Sequence, residues 1–322
     1  MQTVPGPRLV PITLSAADGV QLFVYHWLAE APPRGVVQIV HGMAEHGGRY
    51  ARLASALTAD GYAVYAGDHR GHGRTARGPD EQGFFAEREG WRKCIDDLWL
   101  LNRHIAVDHP GLPIVLLGHS MGSFMAQDFI SQHGDALAGV VLCGSNGKPP
   151  PLAMAGRLIA RIERLRLGPH GKSALIRALV FGRFNKPFEP ARTPFDWLSR
   201  DPAEVDKYAA DPLCGAFRAS VQLWIDLLDA LPEISRPARQ ARIPKRLPIY
   251  VIGGTRDPVG RNTKGLERLL AAYRIAGLER VTHRFYNGAR HELFNEISRD
   301  EVTRDLIVWL DGVIYGPLLL RG

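Results

Sequence analysis

The chain has 322 residues, 45% of them apolar, which is enough to bury one large core. Its glycines and prolines form no low-complexity pattern, and no window approaches the roughly eighteen apolar residues of a membrane-spanning helix. The N-terminus lacks the features of a secretory signal, so we expect a soluble cytoplasmic protein. Cys94, Cys143 and Cys214 lack the paired spacing of a zinc site or a disulfide framework, and we expect buried thiols.

The net charge of +7 is concentrated in residues 148–186, which carry nine Lys or Arg and one acid, Glu163. No recognition motif accompanies this charge, so we do not expect nucleic-acid binding. A helical pattern there separates a basic face from an apolar face: Arg157, Arg161 and Arg164 against Leu158, Ile162 and Leu165. Two interpretations follow, peripheral contact with an anionic membrane or a solvated cationic face whose apolar side packs on the core.

The first predicted elements are an antiparallel hairpin over 9–28, joined at Ala17-Asp18-Gly19. Apolar strands at 36–40, 62–66, from 114, and at 139–143 then alternate with helical patterns at 49–58, 91–105 and after 120. This alternation predicts an α/β fold, with a mostly parallel sheet flanked by helices and active residues at the carboxyl ends of strands.

The alternation breaks at Lys148-Pro-Pro-Pro151 and resumes at 247–253. The intervening segment has helical pieces, many aromatic residues and no strand of the right kind. It therefore predicts a helical cap, 148–246, inserted into a core formed by 1–147 and 247–322. Strands at 249–252 and 281–286 follow, with helices at 263–275 and 296–310.

Gly118-x-Ser120-x-Gly122 lies where a buried strand runs into a helix. In such a turn the serine hydroxyl projects clear of the sheet, and the N–H of the following Met121 faces the same space. A β-carbon at either glycine would crowd the neighbouring strand and helix. We therefore predict that Ser120 is a nucleophile, the alternative being a structural turn serine.

A nucleophilic serine needs a histidine to accept its proton and a carboxylate to orient that histidine. Asp257 directly follows one strand, and His291 follows the last. Their alternatives are a turn aspartate before proline and a loop histidine. His283 is the local competitor, but it lies within a strand rather than beyond its end.

The loop after the strand at 36–40 supplies the second half of an oxyanion hole, with the N–H groups of Met43 and Met121 as donors. His41, Glu45 and His46 match no zinc-binding spacing, so we expect no metal, and nothing in the sequence calls for a cofactor.

Five motifs of the predicted core occur together. They are His41-Gly-x-x-Glu45-His46 with Arg49-Tyr50, Asp68-x-Arg-Gly-His-Gly73, Gly118-His-Ser-Met-Gly122, Asp257-Pro-Val and Arg290-His291-Glu292. This set resembles the monoacylglycerol lipase and lysophospholipase group of α/β-hydrolases, over nearly the whole core. The resemblance implies an α/β-hydrolase fold, a catalytic triad of Ser120, Asp257 and His291, and a helical cap that shapes an acyl channel.

The resemblance also implies that Glu45 and Arg49 help form the polar end of the site, where the alcohol portion lies; the alternative is a buried structural ion pair. Two positions depart from the family pattern: Ala44 stands where Gly is frequent, and Thr75 replaces the usual Ser.

These features predict a serine ester hydrolase whose substrate is a small acyl ester, such as a monoacylglycerol or a lysophospholipid. The alternatives are a thioesterase or aminopeptidase on the same fold, or a non-catalytic binding protein, which would be expected to have lost part of the triad. The sequence leaves the oligomeric state open.

Overall fold

The computed structural model describes residues 8–149 and 152–319. The strands are β1 (Ile12–Ser15), β2 (Gln21–Trp27), β3 (Gly35–Val40), β4 (Tyr62–Gly67), β5 (Ile114–His119), β6 (Gly139–Cys143), β7 (Ile249–Gly254) and β8 (Val281–Tyr286). The helices are α1 (Ala51–Ala59), α2 (Gly90–Asp108), α3 (Met121–His133), α4 (Leu152–Leu167), α5 (Ala174–Phe181), α6 (Pro202–Ala210), α7 (Val221–Ile234), α8 (Pro237–Gln240), α9 (Lys264–Ile275) and α10 (Arg299–Leu319).

One eight-stranded sheet organises the chain, in the order β1-β2-β4-β3-β5-β6-β7-β8. The β1–β2 and β2–β4 pairs are antiparallel, and all other pairs are parallel. The predicted hairpin and the mostly parallel sheet are therefore confirmed. Because β3 to β8 run in one direction, the loops that carry the candidate site residues emerge at one edge of the sheet.

Side chains of the central strands alternate between two apolar cores. In β5, Ile114 and Leu116 belong to the core covered by α2, α3 and α9, whereas Val115 and Leu117 belong to the core covered by α1 and α10. Successive residues of a strand point to opposite faces, so a strand buried on both faces must be apolar throughout. This explains the continuous apolar runs that predicted the strands.

Helices α4 to α8 occupy the segment between β6 and β7, and in its described part, 144–149 and 152–248, no strand forms. A small core of this segment contains Trp197, Leu198, Tyr208 and Cys214, and Val259 from the loop after β7 packs against it. This contact holds the helical segment over the carboxyl edge of the sheet. The division into a core and a cap at 148 and 246 stays a prediction.

The apolar face of α4 is turned outward. Leu158, Ile162 and Leu165 are 62%, 54% and 90% exposed, whereas Ala160 and Glu163 are buried. The interpretation in which these three side chains pack on the core is therefore wrong, and α4 contacts the core through Ile159 and Ala160 instead. No helix within 8–149 or 152–319 has the length and apolar character to cross a bilayer.

Two arginines of α4 are held by the neighbouring helix α7. The guanidinium groups of Arg157 and Arg161 lie 2.7 and 2.9 Å from the carboxylate of Asp229 in α7. On the inner side, the buried carboxylate of Glu163 accepts a hydrogen bond from the Ser173 hydroxyl, just before α5. Polar contacts thus help to fix the orientation of this helix, in which Leu158, Ile162 and Leu165 lie at the surface.

Candidate active site

Ser120 occupies the sharp turn between β5 and α3, with φ +52° and ψ −121°. This backbone conformation costs about 1–3 kcal/mol and needs surrounding contacts to persist. The N–H of Ser120 donates to the Cys143 carbonyl at 3.0 Å, and its carbonyl accepts from the Ser123 N–H at 2.9 Å. These bonds fix the turn between its neighbouring strand and helix.

The flanking glycines leave room for this turn. A β-carbon at Gly118 would lie 2.5 Å from the Gly122 carbonyl oxygen, and one at Gly122 would lie 2.5 Å from the His41 carbonyl oxygen. Real β-carbons essentially never approach backbone so closely. The prediction that both glycines are packing requirements is confirmed.

His291 and Asp257 meet at the carboxyl edge of the sheet, in the loops that follow β8 and β7. The Nδ1 of His291 lies 3.0 Å from both carboxylate oxygens of Asp257, and both residues are buried. Since a carboxylate only accepts, this geometry places the imidazole proton on Nδ1 and leaves Nε2 as an acceptor. The N–H of Val259 also donates to Asp257, at 2.8 Å, and so orients its carboxylate.

The electrostatics around His291 favour its charged form. Burial disfavours the imidazolium, but the carboxylate of Asp257 and the further charges of Glu292 and Glu45 outweigh it and raise the pKa of His291. The imidazole ring also packs against Trp197 and His119, with ring centroids 5.1 and 4.8 Å apart. An imidazolium formed during a reaction would therefore be stabilised where it forms.

The two predicted oxyanion donors, Met43 and Met121, belong to different segments of the chain. Met43 follows β3 and lines the same cavity as the serine, while Met121 is the first residue of α3. The first N–H groups of a helix have no intrahelical acceptor, so the N–H of Met121 has no helical partner. The assignment of these two N–H groups to an oxyanion hole stays a prediction.

Buried histidines brace the loop that contains Met43. The Nδ1 of His41 donates to the Gly42 carbonyl at 2.8 Å, and its Nε2 accepts from the N–H of His69 at 3.0 Å. Burial lowers the pKa of His41 well below the usual histidine value and that of His69 to about 4, so both rings are neutral near pH 7. Ala44 has φ +60°, a conformation that favours glycine, the residue that the family resemblance leads us to expect there.

The Asp68 motif also braces loops. The buried carboxylate of Asp68 accepts from the N–H groups of Gly47 and Arg74, each at 2.7 Å. The hydroxyl of Thr75 donates to the Asp68 carbonyl and accepts from the Phe23 N–H, two bonds that a serine hydroxyl can also form. Threonine at position 75 therefore makes the same hydrogen bonds in this loop that a serine would make.

Glu45 and Arg49 form a buried ion network with Glu292. Arg49 contacts Glu45 at 2.9 Å and binds Glu292 with two bonds of 2.7 Å. The other oxygen of Glu45 accepts from Gly42 and Tyr50. Burial opposes the ionisation of Glu292, but the Arg49 guanidinium outweighs it and lowers the pKa of this carboxyl.

This network favours the structural interpretation of Glu45 and Arg49. The small space that Arg49 lines measures about 10 Å³, which is the room of one water molecule. Glu45 also lines the larger cavity that contacts Ser120, whereas Arg49 does not. Glu292 was not singled out from the sequence, although its place directly after His291 in one of the motifs was a signal.

A cavity of about 630 Å³ lies between the core and the helical segment. From the core, Ser120, His291, His119, Met43 and Glu45 line it. From the helical segment, it is lined by six aromatic residues, Phe181, Phe195, Trp197, Tyr208, Phe217 and Trp224, and by three cationic residues, Lys172, Arg177 and Arg218. The candidate nucleophile and the candidate base thus face one apolar enclosure.

One group of metal-type ligands occurs within the described residues: His46, Asp211 and Cys214, whose ligand atoms lie within 4.8 Å of one another. The Nε2 of His46 already bonds the Asp211 carboxylate at 2.9 Å, and burial raises the pKa of the Cys214 thiol. A metal would require the thiolate, so this geometry fits a polar contact between the loop after β3 and the loop after α6.

A sheet of this order, with a serine at the turn between its fifth strand and the following helix, defines the protein as an α/β-hydrolase. A solved structure agrees: the thermostable carboxyl esterase from Bacillus coagulans, in complex with glycerol, superimposes with a TM-score of 0.88 and 28% identity. The match covers 95% of this chain and 99% of the esterase.

Within this class the chain belongs to the Hydrolase_4 family, described as serine aminopeptidase, S33, whose pattern matches residues 31–298. The monoacylglycerol lipase of Mycolicibacterium smegmatis is 28% identical, over 92% of this chain and 95% of that protein. The monoglyceride lipase of Homo sapiens is 29% identical, over 91% of this chain and 88% of that protein.

Proposed function

We propose that the protein hydrolyses carboxylic esters of lipid-like alcohols, with a monoacylglycerol as the type of substrate. The observation that carries this proposal is the 630 Å³ cavity, which is lined by six aromatic side chains and by Ser120 and His291. An acyl chain would bury its CH₂ groups there, each worth about 0.8 kcal/mol. The similarity to monoacylglycerol and monoglyceride lipases supports the same substrate class.

In the proposed reaction, Ser120 Oγ attacks the ester carbonyl while His291 Nε2 takes the hydroxyl proton. The N–H groups of Met43 and Met121 stabilise the oxyanion, and Asp257 holds the imidazole and stabilises its charged form. His291 then gives the proton to the leaving alcohol, which leaves an acyl-enzyme. A water molecule, deprotonated by His291, attacks this ester and releases the acid and the free serine.

The charges of the cavity favour an ester over an aminopeptidase substrate. An aminopeptidase must bind a free ammonium group, for which a carboxylate is the natural partner. Both carboxylates that line the cavity, Glu45 and Glu292, already pair with Arg49. The remaining charged residues of the lining, Lys172, Arg177 and Arg218, are positive and would repel an ammonium group.

The helical segment, 148–246, is proposed as a cap over a core of 1–147 and 247–322, and as the part that contacts lipid. Helix α5 contributes residues both to the cavity and to the outer surface. Ala178 and Phe181 line the cavity, while Leu175 and Leu179 are about half exposed. With the outward apolar residues of α4, these leucines form an exposed apolar surface beside basic side chains. Such a surface favours peripheral contact with an anionic bilayer.

The nucleophile is tested with Ser120→Ala and the matched control Ser55→Ala, in α1 away from the cavity. A fluorophosphonate should label the wild type and the control and leave Ser120→Ala unlabelled. Turnover of p-nitrophenyl octanoate and 1-octanoylglycerol should be lost only in Ser120→Ala. Equal labelling of both variants would refute the nucleophile, and cleavage of aminoacyl anilides in preference to esters would refute the substrate class.

Membrane contact is tested by sedimentation with phosphatidylglycerol vesicles. Leu165→Ser and Leu175→Ser should weaken binding, since each removes an exposed apolar side chain from the proposed surface. Ile275→Ser, at an 85% exposed position of α9, is the matched control and should bind like the wild type. Equal binding of all four proteins would refute this surface. Turnover of soluble p-nitrophenyl octanoate should be alike in all four.

A further inference from the structure

Three cationic side chains of the helical segment line the cavity: Lys172, Arg177 and Arg218. Lys172 precedes α5, Arg177 belongs to α5, and Arg218 precedes α7. Lys172 donates to the Gln82 carbonyl, and Arg218 donates to backbone carbonyls next to it. Across 8–149 and 152–319, none of the three pairs with a carboxylate within 4.0 Å.

Backbone hydrogen bonds join the segments that carry these cations. The Ser220 N–H donates to the Gly83 carbonyl, and the Val221 N–H donates to the Gly171 carbonyl, both at 2.8 Å. Residues 82–83, 171–172 and 218–221 are therefore adjacent. The backbone that carries Lys172 thus lies beside the backbone that carries Arg218, and Arg177 is near enough for its charge to act on Arg218.

The positive charge of these side chains is unbalanced. Burial and, after it, the charge of Arg177 lower the pKa of Arg218, and burial lowers the pKa of Lys172. Asp80 is the carboxylate that acts on Lys172, and it does not form an ion pair with it. All three side chains are also open to solvent, and an anion bound between them would offset their mutual repulsion.

We propose that Lys172, Arg177 and Arg218 bind an anionic group, a phosphate or a carboxylate, of an amphiphilic ester whose acyl group is cleaved at Ser120. This inference rests on the proposed ester hydrolysis and, among lipid-like esters, moves the preferred substrate from a neutral monoacylglycerol to an ester that carries an anionic group. The guanidinium groups of Arg177 and Arg218 and the ammonium group of Lys172 can donate hydrogen bonds to the oxygens of a phosphate or a carboxylate. An ester with an anionic group should therefore be preferred over a neutral one of equal chain length.

The test measures binding without turnover, by calorimetry on Ser120→Ala protein. The probes are octyl phosphate, monooctyl succinate and neutral 1-O-octylglycerol, each below its critical micelle concentration. Octyl phosphate should bind at least about tenfold tighter than octylglycerol in low salt, and the difference should shrink as salt is added.

Arg177→Gln and Arg218→Gln, each added to Ser120→Ala, should weaken octyl phosphate binding about three- to tenfold and leave octylglycerol binding unchanged. Arg183→Gln removes a nearby exposed charge that does not line the cavity and should change neither affinity. Tighter binding of octyl phosphate than of monooctyl succinate assigns the site to phosphate, and equal binding of both assigns it to either anion.

Equal affinity for charged and neutral probes would overturn the proposal, as would an equal loss of both affinities in Arg177→Gln and Arg218→Gln. The proposal would also be overturned if Arg177→Gln and Arg218→Gln kept their affinity for octyl phosphate but bound vesicles more weakly. The cations would then act at a membrane. Hydrolysis of neutral p-nitrophenyl octanoate by the wild type is measured separately. Failure of that hydrolysis refutes the proposed function, whereas loss of anion selectivity alone refutes only this site.

Discussion

Alanine at position 122 should place a methyl group against the end of β3. Gly122 lies in the first turn of α3, and its missing side chain lets the helix approach the backbone of Val40 and His41. That strand end leads directly into the loop of Met43. Gly122→Ala therefore perturbs the contact between the helix that begins after Ser120 and the loop that supplies the second predicted oxyanion donor.

The size of the effect follows from the distances. The new β-carbon would lie 2.5 Å from the His41 carbonyl oxygen, whereas ordinary contacts lie at 3.4–4 Å. The helix and the strand must therefore separate by about 1 Å, and overpacking of this kind costs about 1–3 kcal/mol. A misplacement of about 1 Å among reacting groups costs on the order of 10² in rate. We expect both losses in Gly122→Ala.

Urea unfolding and the hydrolysis of p-nitrophenyl octanoate measure the two losses. Gly312→Ala is the matched control, because Gly312 lies within α10 with no atom within 4 Å of the added methyl group. Alanine in a helix interior is favoured over glycine by about 0.5–1 kcal/mol, so this variant should be more stable than the wild type and fully active. If Gly122→Ala behaves like Gly312→Ala, the packing argument is wrong.

Four further predictions concern titration and backbone strain. The kcat/KM of the wild type should rise with pH through an apparent pKa above the usual histidine value of about 6.5, because the neutral form of His291 is the base and its pKa is raised. Glu292→Gln should shift this pKa downward in a pH-rate profile; an unchanged profile would show that the charge of Glu292 does not reach His291. His69 and His72 are buried and neutral, with pKa values lowered by burial to about 4 and about 3. Their contribution to stability is present above pH 6.5 and lost as the pH falls toward 4, at up to about 1.4 kcal/mol per pH unit for each, and urea midpoints that stay constant from pH 7 to pH 5 would refute this. Ala44→Gly should raise the free energy of unfolding by about 0.5 kcal/mol, since relief of the positive φ outweighs the added chain entropy, and a lowered urea midpoint would contradict it.

The sheet and its covering helices were predictable because their signals are local. The apolar residues of α2 at positions 91, 94, 95, 98, 101 and 105 are buried at the spacing that predicted the helix. All three cysteines are free and buried, as expected from their spacing. A pattern of this kind needs only residues within one element, so the chain reveals it without knowledge of the fold.

The three candidate triad residues could be predicted from the sequence because each of them follows a strand. Ser120, Asp257 and His291 lie beyond β5, β7 and β8, and parallel strands bring such positions to one edge. The contact between Arg49 and Glu292 joins residues 243 positions apart. No periodicity links such residues, so the sequence left the roles of Glu45 and Arg49 open between substrate binding and a structural ion pair.

The orientation of α4 shows what an amphipathic pattern omits. The pattern separates arginines from leucines, but it does not tell which face meets the protein. Here Asp229, from a helix more than sixty residues further along the chain, binds Arg157 and Arg161, and Ser173 binds the buried Glu163. The leucines lie in solvent, where exposed apolar area is costly. A lipid surface would cover these apolar side chains and remove them from water. This is the physical reason for proposing membrane contact at the cap.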